Sequence, residues 1–229
     1  MPKDYPMLLS STEENYLKAI YKISERTGEQ NSSTNGIAAE LGTSAASVTD
    51  MIRKLSEKGL IHYEKYRGVS LSKDGMKFAL QLIRKHRIWE VFLHDSLHFS
   101  WDEIHDMAEQ LEHVRSDELI NRLEAFLGFP KFDPHGDPIP NQNGSFTYRA
   151  QTALSNVKTK GVEIAVLGVR TADPDFLRHL DTLGIRPGAS FTVSGYTHFD
   201  KSLELRNSDQ KVIRLGFELT KEILVKQNP

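Results

Sequence analysis

The sequence predicts a mainly α-helical protein with small β parts, and three observations support this fold class. Apolar residues recur at helical spacing through most of residues 10–126. A short alternating segment at 60–71 interrupts the helical pattern, and alternation returns after residue 161. A proline-rich stretch lies between the helical part and the second set of strands. We therefore predict four parts, with boundaries at 1–73, 74–128, 129–150 and 151–229.

Composition limits the chemistry that the chain can use. The 229 residues include no cysteine, so disulfides, thiolate metal ligands and a thiol nucleophile are excluded. The net charge of −2 gives no indication, over the chain as a whole, that the protein binds nucleic acid. No apolar run is long enough to cross a bilayer, and the first residues lack the apolar core of a secretory signal. We expect a cytoplasmic location and no membrane partner.

The N-terminal part has the pattern of a helix-turn-helix. A first helix begins at Ser10–Thr12, where acidic residues follow in the first turn, and it ends at Gly28. A short helix at Ile37–Leu41 precedes a third helix, which Thr43 or Ser44 can cap and which ends at Gly59. Two short helices joined at a glycine-containing turn are typical of this motif.

Residues 60–71 follow the third helix directly and alternate as a hairpin does, with a turn near Arg67–Gly68. A hairpin after a helix-turn-helix indicates a winged helix, and a generic small α+β unit is the alternative. Residues 44–73 carry six cationic and three acidic residues. This surplus of three is a weak signal for DNA binding.

Imidazoles and carboxylates recur at helical spacing between residues 86 and 113. His86 and Glu90 lie one turn apart, and a second set follows the i, i+4, i+7, i+8 spacing of one face. This second set is His105, Glu109, Glu112 and His113. A neighbouring apolar stripe would be buried on the same helix, predicted over 101–114. Such polar groups are seldom buried unless they are paired or hold a metal ion, so we predict a metal site. A solvated, salt-bridged face is the alternative.

Further helices are predicted from a cap at Ser72 through Leu93 and over Asp117–Phe126. After the linker we expect a short helix near Thr152–Val157 and one helix at Pro174–Leu183. The remaining patterns are four strands that suggest a small barrel. These strands are Val162–Leu167, Ser190–Val193, Ser202–Leu205 and Val212–Leu215.

Four stretches resemble the diphtheria toxin repressor family of metal-dependent transcription regulators, including its manganese transport regulator branch. They cover residues 12–21, 47–55, 84–87 and 112–118, and the order of parts agrees over nearly the whole chain. The resemblance implies a winged helix-turn-helix, a helical metal-binding and dimerisation domain, and a C-terminal SH3-like (FeoA-like) β-barrel.

The resemblance also implies two sets of metal ligands. An ancillary site falls on His86, Glu90 and His105. The C-terminal domain of three-domain members adds a ligand to that site, here best matched by Asp175 and next by Asp173. A primary site falls on four further residues, which are Asn15, Glu109, Glu112 and His113. Metal at this site would connect the N-terminal helix to the helix over 101–114.

This chain departs from both branches of the family. Iron-type members have sulfur at the position of Glu109, and manganese-type members have glutamate there. Asn15 matches neither branch, and Lys18 stands where manganese-type members have a second acid. Oxygen and nitrogen donors suit manganese(II) or iron(II). We therefore expect Mn²⁺ as the cofactor, with Fe²⁺ as the alternative.

The function that we predict is a homodimeric, metal-activated DNA-binding repressor of metal homeostasis, which is not an enzyme. The third helix would enter the major groove with five residues toward the bases, while two more of its residues and two residues of the wing would lie on phosphates. The first set is Ser44, Ala46, Ser47, Thr49 and Asp50, and the second is Arg53, Lys54, Tyr66 and Arg67. The alternatives are a winged-helix regulator of a non-metal ligand and a metal-dependent hydrolase, although no nucleophile is evident.

Six other histidines have no partner at ligand spacing, and we expect them to be surface groups or satisfied polar groups. They are His62, His94, His98, His135, His179 and His198.

Overall fold

The computed structural model describes residues 8–228, which fall into two compact units. The first unit contains the residues up to Lys85 together with Pro140–Ser145. The second contains His86–Ile139 and the residues from Phe146 onward. The division falls between Lys85 and His86, within one helix.

The first unit begins with helix α1, Ser11–Thr27, whose start is fixed by a reciprocal cap. Glu13 N donates to Ser10 Oγ at 3.3 Å, and Ser10 N donates to Glu13 Oε2 at 2.9 Å. Gly28 ends the helix in the left-handed conformation, where a Cβ would be strained. Both ends lie where the sequence predicts them.

A helix-turn-helix follows α1. Helix α2 spans Thr34–Glu40 and helix α3 spans Ala45–Glu57, with Ser44 as the N-cap of α3. Helix α3 buries Val48, Ile52 and Leu55 at i, i+4, i+7 and leaves its other face in solvent. The buried stripe thus holds α3 against the unit while its polar face stays accessible.

Strands β1, Ile61–Glu64, and β2, Gly68–Leu71, form an antiparallel hairpin in which Ile61 pairs with Leu71. Ser32, in the segment before α2, adds an isolated bridge to Val69. Helix α4, Lys73–Val91, begins directly after the hairpin. The predicted winged helix-turn-helix is therefore confirmed.

In the second unit, α4 continues into a π-helical turn, Phe92–Ser96, which the sequence did not reveal. Helix α5 spans Ile104–Leu111 and helix α6 spans Asp117–Phe126. The bounds of α6 agree with the prediction, whereas the helix predicted over 101–114 is shorter at both ends. Residues 101–103 form a turn, because Glu103 Oε2 accepts from the amide and hydroxyl of Ser100 and Trp101 Nε1 donates to Asp181.

Part of the stretch predicted as linker is folded. Phe132 forms an isolated bridge with Pro138, and Asp133 and His135 are buried. Asp133 Oδ1 accepts from the backbone N–H groups of His135 and Asp137, both at 2.9 Å. These hydrogen bonds stabilise a tight loop, and the proline and glycine residues in it favour such a turn. The domain boundaries given above stay predictions.

The C-terminal part is a six-stranded antiparallel sheet in the order β3-β8-β4-β5-β6-β7. Its strands are β3 Thr152–Ala153, β4 Glu163–Val169, β5 Ser190–Tyr196, β6 Leu203–Arg206, β7 Val212–Leu215 and β8 Ile223–Asn228. Helices α7, Pro174–Thr182, and α8, Phe217–Thr220, complete it. Its core includes Val166, Val193 and Leu205, and it continues into Trp101 and Ile104 of the helical part.

Two sequence predictions for this part need correction. The helix expected near Thr152–Val157 is instead β3 followed by a 3₁₀ turn, Leu154–Asn156. Strand β8 was not predicted, although it lies between β3 and β4. Its short apolar run, Ile223–Val225, is ambiguous without its pairing partners.

None of the helices among residues 8–228 combines the length and apolar character needed to cross a membrane.

Candidate metal centre

Glu90 lies at the centre of three histidines. Its Oε1 is 3.0 Å from His86 Nε2, 3.2 Å from His105 Nδ1 and 3.5 Å from His135 Nδ1. Helix α4 places His86 and Glu90 one turn apart, and α5 supplies His105 from its first turn. Burial opposes ionisation of Glu90, but the charge of His86 and hydrogen bonds from His105 and His135 hold its pKa well below the usual value.

A second group of donors adjoins the first through His86. His86 Nδ1 lies 2.6 Å from Oε2 of Glu112, which is fully buried at the C-cap of α5. Glu109 Oε1 is 3.7 Å from His105 Nε2, and His113 Nε2 is 3.9 Å from Glu112 Oε1. The two sets that the resemblance keeps apart therefore share contacts through His86 and His105.

Three groups of side chains have ligand atoms within 4.8 Å of one another in the described part of the chain. They are His86, Glu90 and His105; His86, Glu109 and Glu112; and Glu90, Asp133 and His135. All donors are imidazole nitrogens or carboxylate oxygens, a set that suits manganese(II), iron(II) and zinc(II). Buried groups of this kind are usually paired or coordinate a metal ion, so the residues present fit a metal site.

His135 and Asp133 are the site residues that sequence reasoning missed. His135 Nε2 is 2.8 Å from the backbone carbonyl of Trp101. A carbonyl only accepts, so Nε2 carries a proton and Nδ1 faces Glu90. His135 is thus a satisfied buried histidine, as expected, but it also belongs to a donor group. Asp133 and Asp137 each lie two residues from His135 in the sequence, and such a cluster of donors can indicate a metal site. A search for donors at helical spacing does not detect this cluster, because these residues lie in a loop.

The pKa values of this third group are strongly perturbed. Burial raises the pKa of Asp133 to about 8, assisted by the negative charges of Asp137 and Glu90. Burial alone would lower the pKa of His135, but the hydrogen bond to Glu90 and its charge raise this value to about 9. A cation bound here would replace protons that the group holds near neutral pH.

The C-terminal acids expected to complete the ancillary site have other partners. Asp175 is 92% exposed and lies 2.6 Å from Arg178, which also binds Asp102 at 3.0 Å. Asp173 is the N-cap of α7 and accepts from Phe176 N at 2.9 Å. Neither acid belongs to the three donor groups, whereas Asp133 and His135 do. The assignment of Asp175 as a ligand stays a prediction.

Asn15 and Lys18 belong to α1 in the first unit. Asn15 Oδ1 is a buried acceptor with no hydrogen-bond partner among residues 8–228. An orphaned buried oxygen is costly, and the ligand role of this amide stays a prediction. Lys18 is buried, with 4% exposure.

The predicted DNA-contacting residues lie on the exposed face of α3 and at the tip of the hairpin. Ser44 Oγ caps α3 and lies 2.9 Å from Ser47 Oγ, and Thr49 Oγ1 donates to Ala45 O. Arg53 is 3.8 Å from Asp50, both well exposed. The others in this set, Ala46, Lys54, Tyr66 and Arg67, are also exposed, and Tyr66 has a positive φ of 70° at the turn. Their contacts with DNA stay predictions.

Four of the remaining histidines are exposed, as expected, namely His62, His98, His179 and His198. His94 is partly exposed and lies 2.7 Å from Asp95.

A winged helix followed by helices that carry groups of imidazole and carboxylate donors defines a metal-responsive DNA-binding regulator. Three family descriptions match consecutive parts of the chain. Residues 8–69 match "Iron dependent repressor, N-terminal DNA binding domain". Residues 72–141 match "Iron dependent repressor, metal binding and dimerisation domain", and residues 153–227 match "FeoA domain".

Similar proteins agree with these matches. The iron-dependent repressor IdeR of Mycobacterium leprae is 33% identical over 199 residues, covering 81% of this chain and 84% of its own length. A solved manganese-dependent transcriptional repressor in complex with manganese is 35% identical, with a TM-score of 0.82, over 94% of this chain and 100% of that one. The chain belongs to the diphtheria toxin repressor family of metal-dependent transcriptional regulators, and the two relatives just named are repressors rather than enzymes.

Some relatives are matched over a shorter share of their length. A probable metal transport system membrane protein of Chlamydia trachomatis is 40% identical over 88 residues, which are 38% of this chain and 19% of that protein. The match to IdeR of Mycobacterium tuberculosis spans 56% of its length at 33% identity.

Proposed function

We propose that the chain is a homodimeric repressor whose binding to operator DNA is activated by manganese(II), with iron(II) as the alternative ion. The observation that carries the proposal is the cluster of buried donors around Glu90 and Glu112. Two of its residues, His86 and Glu90, lie near the end of the helix that begins directly after the wing. An ion held there restrains α4, the element that continues from the DNA-binding part.

We assign the metal ligands to two neighbouring groups. The first contains His86, Glu90 and His105 and is extended by Asp133 and His135. The second contains Glu109, Glu112 and His113, with Asn15 as the ligand predicted from α1. When an ion is bound, it supplies the positive charge that balances these carboxylates. The protein side chains fix the donor positions by their packing and hydrogen bonds.

The preference for manganese rests on the donor set. Glu109 contributes a carboxylate where iron-type relatives of the family have sulfur, and the chain has no cysteine. Carboxylate and imidazole donors suit manganese(II), whereas sulfur donors favour softer ions. A manganese-complexed repressor at 35% identity supports this preference, and iron-dependent IdeR at 33% supports the alternative.

The DNA-binding face follows from the winged helix. The exposed side of α3 would enter a major groove, and the dimer would place two such helices on half-sites about 34 to 36 Å apart. Ser47 and Asp50 face the bases in this arrangement, while Arg53, Lys54 and Arg67 bind phosphates. Genes for metal uptake are the targets that the family resemblance implies.

The experiment is a DNA-binding titration of the full chain at fixed salt. A duplex is first selected from a random-sequence library in the presence of manganese(II). Its affinity is then compared with manganese(II), with iron(II) under anaerobic conditions and with a chelator. We expect manganese to tighten binding at least about tenfold, which is a coupling within the usual allosteric range. Equal affinity with metal and with chelator would contradict the proposal.

Two variants test the assignment of the ligands. Glu109→Ala and His113→Ala should abolish activation by metal and leave the fold intact, because each removes a donor that packing cannot replace. Gln110→Ala, an exposed neighbour on the same helix, is the matched control and should behave as the wild type. Wild-type activation in both ligand variants would show that the site is placed wrongly.

A further inference from the structure

The loop that carries His135 is docked, backbone against backbone, onto strand β4 of the FeoA domain. Val169 N donates to His135 O at 2.9 Å. A Cβ added to Gly168 would lie 2.2 Å from His135 O and 2.7 Å from Gly136 Cα. A Cβ on Gly136 would lie 2.4 Å from Leu167 O, and this glycine also has a positive φ of 94°. Two backbone segments can approach this closely only where the facing residues, here Gly136 and Gly168, lack a side chain.

The register of β4 against β8 shifts between Val166 and Gly168, so the strand has a bulge at the docking point. A bulge turns backbone groups away from the regular ladder. Gly168 itself is not among the glycines with positive φ. Its requirement for glycine is therefore set by the neighbouring loop and not by its own backbone conformation.

Two arginines hold the same loop from its sides. Arg149 Nη2 donates to Gly136 O at 2.9 Å and to Leu167 O at 2.8 Å, so one group joins the loop to β4. The Arg149 guanidinium also lies 3.8 Å from the centre of the Phe132 ring. Arg87 Nη1 donates to Pro138 O at 2.6 Å. The loop is thereby fixed at both ends and in its middle.

This docking determines where the His135 imidazole points. Its Nε2–H donates to Trp101 O, which leaves Nδ1 directed at Glu90. Trp101 in turn donates through Nε1 to Asp181 of α7, at 3.0 Å. Both the loop and the carbonyl that orients the ring are thus held by the FeoA domain.

We propose that Gly168 and Gly136 are positioning residues through which strand β4 brings His135 and Asp133 to Glu90. The FeoA domain then contributes to the metal centre by placing this loop. This inference rests on the proposed function, since it assigns the Glu90, Asp133 and His135 group to metal binding.

The test compares Gly168→Ala with Gly216→Ala in the full chain. Gly216 lies in the same domain, has a φ of −72°, and would have no atom within 4 Å of an added Cβ. The first readout is the number and affinity of manganese(II) ions bound per chain by calorimetry. The second is the hydrogen-exchange rate of the Val169 amide, which requires no metal. His135→Ala gives the result expected when the donor itself is lost.

We expect Gly168→Ala and His135→Ala to lose the same class of manganese site, or to weaken it at least about tenfold. The Val169 amide should exchange at least about tenfold faster in Gly168→Ala, because its acceptor is displaced. Gly216→Ala should match the wild type in both readouts. Wild-type manganese binding together with wild-type Val169 protection in Gly168→Ala would overturn the proposal.

A second variant keeps the test decisive if Gly168→Ala fails to fold. Arg149→Gln removes the two bonds that join the loop to β4 and should give the same loss, whereas Arg206→Gln, exposed on β6, should not. A wild type that binds no manganese would contradict the proposed function, while Val169 exchange would still decide the docking. Normal binding by His135→Ala, with loss in His86→Ala, would overturn this inference and leave the proposed function standing.

Discussion

The imidazole of His86 and the carboxylate of Glu112 lie 2.6 Å apart, Nδ1 to Oε2, although 26 residues separate them. The other ring nitrogen of His86 lies 3.0 Å from Glu90. One side chain therefore joins donors from the end of α4 to donors from the end of α5. Because a single imidazole contacts both groups, changes at one metal position should affect the other.

His86→Ala should weaken manganese binding at both groups, since each loses a contact with the same ring. His113→Ala should affect only the group that contains Glu112. Calorimetric titration with manganese(II) can resolve the two classes of site. His94→Ala, at a histidine outside the donor groups, is the control. Loss of a single class of site in His86→Ala would show that the two groups act independently.

Glu109→Cys should shift activation toward iron and other softer ions, because it replaces a carboxylate with a thiolate. Glu109 is partly exposed, with 37% of its side chain accessible, so the smaller side chain should not disturb the core. The measurement is anaerobic DNA binding titrated with each ion. Gln110→Cys adds a thiol to the exposed face next to it and should keep the wild-type preference. If the ions activate DNA binding by Glu109→Cys in the same order as in the wild type, Glu109 does not determine metal selectivity.

Arg53→Ala should weaken DNA binding for all sequences and reduce the salt dependence of log K by about one phosphate contact. Arg53 is exposed on α3, with 70% of its side chain accessible, and its ion pair with Asp50 is long. Binding is measured from about 50 to 200 mM salt on selected and scrambled duplexes. Arg206→Ala provides the charge-matched control outside the winged helix. A loss confined to one base position would instead indicate base contact.

Glu13→Gln should destabilise the protein by about 1 kcal/mol at neutral pH, because Glu13 binds Lys58 at 2.5 Å and completes the cap of α1. Burial tends to raise the pKa of Glu13, but bonds to Lys58 and Ser10 lower it overall below 4.5. A lowered folded-state pKa stabilises the protein above the unfolded value, and this contribution is lost as pH falls through the folded pKa.

The difference between wild type and Glu13→Gln should therefore shrink as the solution is acidified below about pH 4.5, the unperturbed value. Urea unfolding at several pH values measures it. Glu29→Gln, at an exposed position outside the helices, should show no such difference. A pH-independent difference would mean that packing, not ionisation, makes Glu13 stabilising.

The sequence by itself determined the features that depend on neighbouring residues. Helix α6 and strand β7 begin and end where their patterns predict, because their apolar periods and caps are local. Helical spacing likewise identified His86 with Glu90, and His105 with Glu109, since each pair lies one turn apart on a helix. The winged helix followed from the order of its helices and hairpin.

Only the tertiary structure decided how these donors are grouped. The contact of His86 with Glu112 depends on how α4 and the end of α5 pack, and no local spacing encodes it. Asp133 and His135 reach Glu90 because Gly136 and Gly168 let a loop lie directly on β4. Strand β8 was missed for the same reason, since its pairing with β3 and β4 is non-local. Local patterns fix single elements, whereas long-range backbone and side-chain contacts place them together.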